Sequence, residues 1–293
     1  MGNKLKVTFY TLFALVAFAA NSLLCRLALA NGHIDAWNFT GLRLLSGAMC
    51  LGIILFVTTN KKVTPNKGAH DERGSWRSSL SLVVYALCFS IAYIELDTGT
   101  GALILFSAVQ LTMISWGVFS KERLSNAQWL AFLVALVGFV YLMMPSAKTP
   151  SLIPGLLMMV SGIAWGVYSI RGKACRAPLK ATAYNFVRSL FIVPLILLIG
   201  FSALSSSSWE GVLLAVLSGS VASGLGYSLW YVALPFLKSS QAAVVQLLVP
   251  IIAAVAGVVF LNENVTLHFI IASAVILGAV LVFLKAKSVP AQH

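Results

Sequence analysis

"AAVVQLLVPIIAAVAGVVFLNE", Ala242 to Glu263, and "GALILFSAVQLTMISWGVFSKE", Gly101 to Glu122, decide the fold, because they are one pattern written twice. Gly101 and Ala102 fall on Ala242 and Ala243, and the closing Glu122 falls on Glu263. A core such as "LLVPIIAAVAGVVFL" is continuously apolar, whereas a membrane barrel strand would alternate over about ten residues. Both runs are therefore read as membrane-spanning helices, each needing about 20 mainly apolar residues.

Working outward, the same kind of run recurs throughout the chain. Of 293 residues 59% are apolar and only 10% charged, a balance that excludes a water-soluble domain of this size. Gly, Pro, Ser and charged clusters punctuate ten runs: 7–28, 37–58, 78–96, 100–120, 127–144, 152–171, 182–203, 210–233, 240–261 and 266–284. The expected class is all-α and polytopic, with ten transmembrane helices. Cys25, Cys50, Cys88 and Cys175 stand singly in or beside apolar runs and read as small hydrophobes rather than a disulfide or zinc framework. "LALAN" resembles a signal-peptide cleavage site after the first run, but cleavage would leave the sixth run without a counterpart.

Lys and Arg beside short loops stay cytoplasmic. With the N-terminus inside, sixteen of the twenty fall inside: Lys4, Lys6, Lys61, Lys62, Lys67, Arg73, Arg77, Lys121, Arg123, Arg171, Lys173, Arg176, Lys180, Lys238, Lys285 and Lys287. Lys148 falls outside, and Arg26, Arg43 and Arg188 lie within spans. Both termini are thus expected in the cytoplasm. The net charge of +12 follows this topology rather than one basic face, so no nucleic-acid partner is expected.

The repeat extends beyond the opening pair. Ala19, Arg26 and Arg43 fall on Ala164, Arg171 and Arg188, and Tyr93 on Tyr231. The units are residues 1–146 and 147–293, five spans each; five being odd, the second starts on the other side of the membrane. The loops agree: the basic "SKERLS" has the partner "LNENVT", which keeps the Glu and loses both basic residues. Inverted repeats of this kind are the architecture of many secondary transporters, with the substrate at the repeat interface near the midplane.

These halves, each closing with a small-residue helix, an acidic turn and a Gly-bearing helix ("WLAFLVALVGFVYLM", "IIASAVILGAVLV"), resemble the EamA-type, ten-helix branch of the drug/metabolite transporter superfamily. The resemblance covers about residues 5–286 and implies an inner-membrane carrier, commonly an exporter of amino acids or related metabolites. Where the family has a proline in the fourth helix of each repeat, Pro250 here has Val109 as its counterpart.

Positions three, four and seven apart share a helix face. Candidate pathway residues on such stripes are Asn21; Ser107 and Gln110; Trp165 and Tyr168, an aromatic wall; Tyr227 and Tyr231; and Gln246 and Pro250. The alternative is that small stripes and amides only join helices. Arg43 and Arg188 each cost roughly 2.5–3.5 kcal/mol if central, so they either snorkel or pair structurally, or face a wet cavity and attract a carboxylate. Glu95 is expected to pair with Arg26 or Arg43 at the outer mouth beside a tight "TGTG" turn, leaving Arg171 and Arg188 to receive an anion from the cytoplasm. A buried Glu95 would serve as a site for coupling protons; its place near outer water argues for plain solvation.

No phosphate-cradling GxxxxGK[ST] loop, HExxH or Cys/Asp cluster is present, so an ATP-driven pump and a metalloenzyme are not expected, nor is any cofactor. The expected partners are the lipid bilayer and a small-molecule substrate. The competing readings are a non-transporting scaffold of the same fold and an organic-cation exporter.

Overall fold

The computed structural model describes residues 2–59, 73–119, 124–143, 152–173, 175, 177–233, 236 and 245–286. They form helices and connections, without a strand among them. In chain order these are α1 (Gly2–Ala30), α2 (Ala36–Thr59), α3 (Trp76–Ala92), α4 (Thr98–Phe119), α5 (Asn126–Met143), α6 (Leu152–Lys173), α7 (Pro178–Ser189), α8 (Val193–Ile199), α9 (Phe201–Leu204), α10 (Trp209–Leu217), a π-helical stretch (Ser218–Leu225), α11 (Gly226–Ala233), α12 (Leu248–Leu261) and α13 (Leu267–Lys285). Six helices are long and apolar enough to span a membrane, counting α10 to α11 as one, and α7 with α8 forms a seventh bent by 47°. The shorter apolar helices α3, α5 and α12 bring the segments to the expected ten. Glu122 and Lys238 lie outside the described residues, as do the expected loops at 60–72 and 144–151.

A bilayer offers no water to orphaned helix ends, so the sequence supplies caps. Ser75 accepts from the Ser78 amide at the start of α3, Ser208 from Gly211 before α10, and Thr266 from Phe269 before α13. Asp35 accepts from the amides of Trp37 and Asn38 at 2.9 and 3.1 Å. Before α5, the Ser125 hydroxyl accepts from the Gln128 amide while the Gln128 side chain accepts from Ser125 N–H, a reciprocal box.

The packing exchanges the halves. The third span packs on the sixth and the eighth on the first; the fourth packs on the sixth and the ninth on the first; the fifth packs on the tenth. Each interface is therefore matched by the one obtained when the halves trade places, which is what a duplicated unit dictates.

Three expectations change. "TGTG" is the first turn of α4 rather than a loop, and the reversal is made by residues 93–97. The run 182–203 is broken: Pro194 has no N–H for a helical bond, and the chain crosses the gap by short i to i+3 bonds such as Ile192 N–H to Ser189 O, 3.1 Å. Helix α12 begins after a turn at Leu247, three residues before Pro250, while α4, with Val109 there, runs unbroken. Trp76, Trp129 and Trp209 are exposed near their helix ends, and Trp37 is half-buried. The four cysteines are free thiols, Cys25 buried and the others half-buried.

Candidate functional site

Charge divides the molecule into two faces. Arg73, Arg77, Arg171 and Lys180 lie at or beside the ends of α3, α6 and α7 that meet at one face, hereafter the basic face, and Arg188, in the last turn of α7, reaches the Arg73 carbonyl there. All five described carboxylates, Asp35, Glu95, Asp97, Glu210 and Glu263, lie at the other.

Between the faces, α1, α2, α3, α6 and the eighth span bring together a buried polar string inside aromatic rings. The Ser218 hydroxyl donates to Asn21 Oδ1 at 2.6 Å, Asn21 Nδ2 donates to the Tyr85 hydroxyl at 3.2 Å, and Arg43 Nη2 donates to the same hydroxyl at 2.9 Å. Trp165 stands 4.8 Å from Tyr85, 5.0 Å from Tyr227 and 5.4 Å, stacked, from Tyr168, centroid to centroid. Offset and tilted pairs of this kind add to burial. They enclose a pocket of about 20 Å³ lined by residues including Asn21, Tyr85, Phe89, Trp165 and Tyr227. That is room for about one water.

Toward the basic face the bundle opens. A recess of about 260 Å³ is lined by Ser75, Ser78, Tyr168, Arg171, Thr182 and Asn185, among others. Arg171 donates to Ser78 and Ser75 at 2.9 and 3.0 Å, and Tyr168 donates to Thr182 at 3.0 Å. Tyr168 lines the recess and Trp165 the central pocket, so this stacked pair is the partition between them.

The opposite face is closed by one acid. Glu263 accepts from the Thr98 amide at 2.8 and 3.0 Å and from its hydroxyl at 3.1 Å, capping α4, and from Arg26 Nε at 3.4 Å. Arg26 in turn donates to the carbonyls of Tyr93 and Ile94 at the end of α3, 3.1 and 2.7 Å, with Asp97 at 3.8 Å. A cavity of about 30 Å³ remains beside this knot. Burial raises the Glu263 carboxyl above its ordinary range, partly offset by the Thr98 hydrogen bonds and Arg26.

Of the sequence candidates, Asn21, Trp165 and Tyr227 line the central pocket, Tyr168 lines the recess, and Tyr231 joins Tyr168 through Thr182. Glu95, Ser107, Gln110, Arg188, Gln246 and Pro250 lie outside both linings. Ser107 and Gln110 are buried in packed helix surface, and Pro250 faces an apolar groove between α12 and α13. Arg43 does not snorkel: it is 2% exposed, its guanidinium 5.1 and 4.9 Å from the Tyr85 and Phe89 ring centres. Arg188 stays at the basic face, over Trp76 and bonded to the Arg73 carbonyl. Glu263 and Asp97 stand 3.4 and 3.8 Å from Arg26, and Glu95 is exposed. Tyr85, Phe89 and Glu263 were missed as site residues. The first two, with Tyr93, form an aromatic stripe at four-residue spacing that a face count on the third span would have found.

Fold and site together define a polytopic membrane transporter built from two five-span repeats. The model of the EamA-like transporter family matches twice, over residues 5–144 and 152–285, and the chain belongs to that family. It is similar to an uncharacterized protein of Pseudomonas aeruginosa, 44% identical over 94% of each chain. An uncharacterized transporter of Bacillus subtilis is 23% identical over 83% of each. A solved crystal structure shares the fold with a TM-score of 0.64 at 18% identity, covering 94% of this chain and 96% of the other.

Proposed function

We propose that this protein is a secondary active transporter that exports small metabolites, amino acids or related compounds, across the bacterial inner membrane by alternating access. The observation that carries this reading is the inequality of the faces: a recess of about 260 Å³ on one side, ending at an aromatic partition, against an ion-paired knot on the other. A scaffold has no use for a polar recess leading to a buried polar centre. The segregation of Lys and Arg supports a cytoplasmic basic face and cytoplasmic termini, so cargo loads from the cytoplasm past Tyr168 and Trp165. Release follows when units 1–146 and 147–293 rock and Arg26 parts from Glu263. Two arrangements of similar energy are natural to inverted halves.

The test is reconstitution of the purified chain in liposomes with a panel of labelled amino acids and organic cations, with and without a pH gradient. Accumulation or exchange of an amino-acid-like compound is expected, and its response to the gradient separates proton coupling from exchange or downhill export. Folded protein that moves nothing in the panel would return the scaffold reading.

A further inference from the structure

Arg43 is a buried cation held by one hydrogen bond and two aromatic rings, with no acid paired to it among the described residues. It is buried about a third of the way along α2, and its Nη1 has no hydrogen-bond partner. The five described acids lie at the acidic face, Asp35 just before α2 among them, and Asp71, Glu72 and Glu122 lie outside the described residues. A guanidinium taken out of water without a counter-charge is strongly destabilising, and a site that keeps one is short of an anion. The rings that hold it, Tyr85 and Phe89, line the central pocket while Arg43 itself does not, so the charge lies behind those two rings beside the cargo's path.

We propose that the missing counter-ion is the cargo itself: a monocarboxylate on an apolar or aromatic body, bound by Arg43 Nη1 when the aromatic partition opens. The inference rests on the transport reading only for where the pocket leads. One guanidinium nitrogen is already spent on Tyr85 and the neighbouring Tyr85 and Phe89 rings cover one side of the group, which leaves Nη1 as its buried nitrogen without a partner, suited to one carboxylate rather than to a doubly charged phosphate. Phe89, Trp165 and Tyr227 offer ring faces to the rest of the molecule. Arg171 in the recess gives the anion a first cationic stop before the partition. No acid is placed to receive an organic cation at this depth among the described residues.

The test is binding to the full chain in detergent at fixed ionic strength, using labelled 3-phenylpropionate. Competition by unlabelled 3-phenylpropionate and L-phenylalanine is expected, with neutral 3-phenylpropionamide and cationic phenethylamine at least about tenfold weaker, the scale of one charge-assisted hydrogen bond. Arg43→Gln should lose at least about tenfold in affinity, and Arg43→Lys should recover part of it. Equal competition by acid and amide, preference for the amine, or unchanged affinity in folded Arg43→Gln each overturns the proposal. Should Arg43→Gln not fold, the acid-against-amide comparison on the natural chain and Arg43→Lys decide it. Binding without transport in liposomes would sink the carrier reading and leave this one; transport of neutral or cationic cargo without acid binding would do the reverse.

Discussion

Helices α2, α3 and α4 run unbroken, while the corresponding spans of the second half are each interrupted, at Pro194, through the π-helical stretch and before Pro250. The paired arginines diverge as well: Arg43 is buried at the aromatic centre, and Arg188 lies at the basic face over Trp76. A duplicated unit thus keeps its packing partners while dividing the labour. The first half supplies rigid walls and the central charge; the second supplies the backbone irregularities, which mark places where a helix can change direction at small cost.

The sharpest break of this comparison exchanges the fourth-helix residues. Val109 is 2% exposed in the middle of α4, so Val109→Pro deletes a helical bond and forces the ring against the preceding turn. The expected cost is about 3 kcal/mol or more. Pro250→Val should change stability by less than about 1 kcal/mol, since the regained hydrogen bond is offset by the freedom restored to the unfolded chain. It should still slow transport by stiffening the break at Leu247. Thermal melts of the two variants beside liposome rates decide this, and equal destabilisation would mean that the halves are not differently built.

Second comes the close approach of α2 to the π-helical stretch. A Cβ on Gly219 would stand 2.2 Å from the Arg43 carbonyl oxygen and 2.0 Å from Ser46 Oγ, so backbone must move. Gly219→Ala is expected to cost about 1–3 kcal/mol or more. Ser81, the equivalent position in α3, is half-buried with its hydroxyl turned back on Arg77 O, and Ser81→Ala should stay within about 0.5 kcal/mol. Denaturant unfolding in detergent would show whether one repeat position has acquired two tolerances.

These contrasts mark where the sequence was legible. Ten apolar runs and the doubled acidic turn gave the spans and the repeat, because hydrophobic length and punctuation are local properties. Depth and facing are not local. Arg43 sits only a few residues inside its run, a place from which a long side chain can snorkel, and only the packing of α3 on α2 turns it inward to Tyr85. The pairing of Arg26 with Glu263 joins residues 237 apart in the chain and depends on how the first and ninth spans meet. The break at Pro250 was readable from one residue, whereas nothing in "SGSVASGL" beyond its glycines announces π geometry.

The knot at the opposite face has its own counterpart to test, since the equivalent Glu122 lies outside the described residues. Glu263→Ala removes the acceptor of the Thr98 amide and of Arg26 together, with an expected loss on the order of 1–2 kcal/mol, reduced by partial solvent access. Exchange protection at the Thr98 amide should fall in step. Glu263→Gln, which keeps one acceptor, should lose less.

The smallest effect is the pH dependence of that knot, and its sign discriminates. Burial is the largest cause of the raised Glu263 carboxyl, opposed by Thr98 and Arg26 and assisted by Asp97. A carboxyl that holds its proton more tightly when closed than when solvated favours the closed face as pH falls through the raised value, and gains nothing further below the ordinary 4.5. Acid therefore steadies this face, although protonation weakens the pairing with Arg26, because the neutral carboxyl escapes the desolvation that the ion suffers. The comparison needs Glu263→Gln as its baseline, since Asp97 and His268 line the same small cavity. Between pH 7.5 and 5 the natural chain should gain melting temperature relative to the Gln variant. Parallel curves would show that the Arg26 pairing and the Thr98 cap fully compensate burial, and a relative loss would make Glu263 an acid-opened latch.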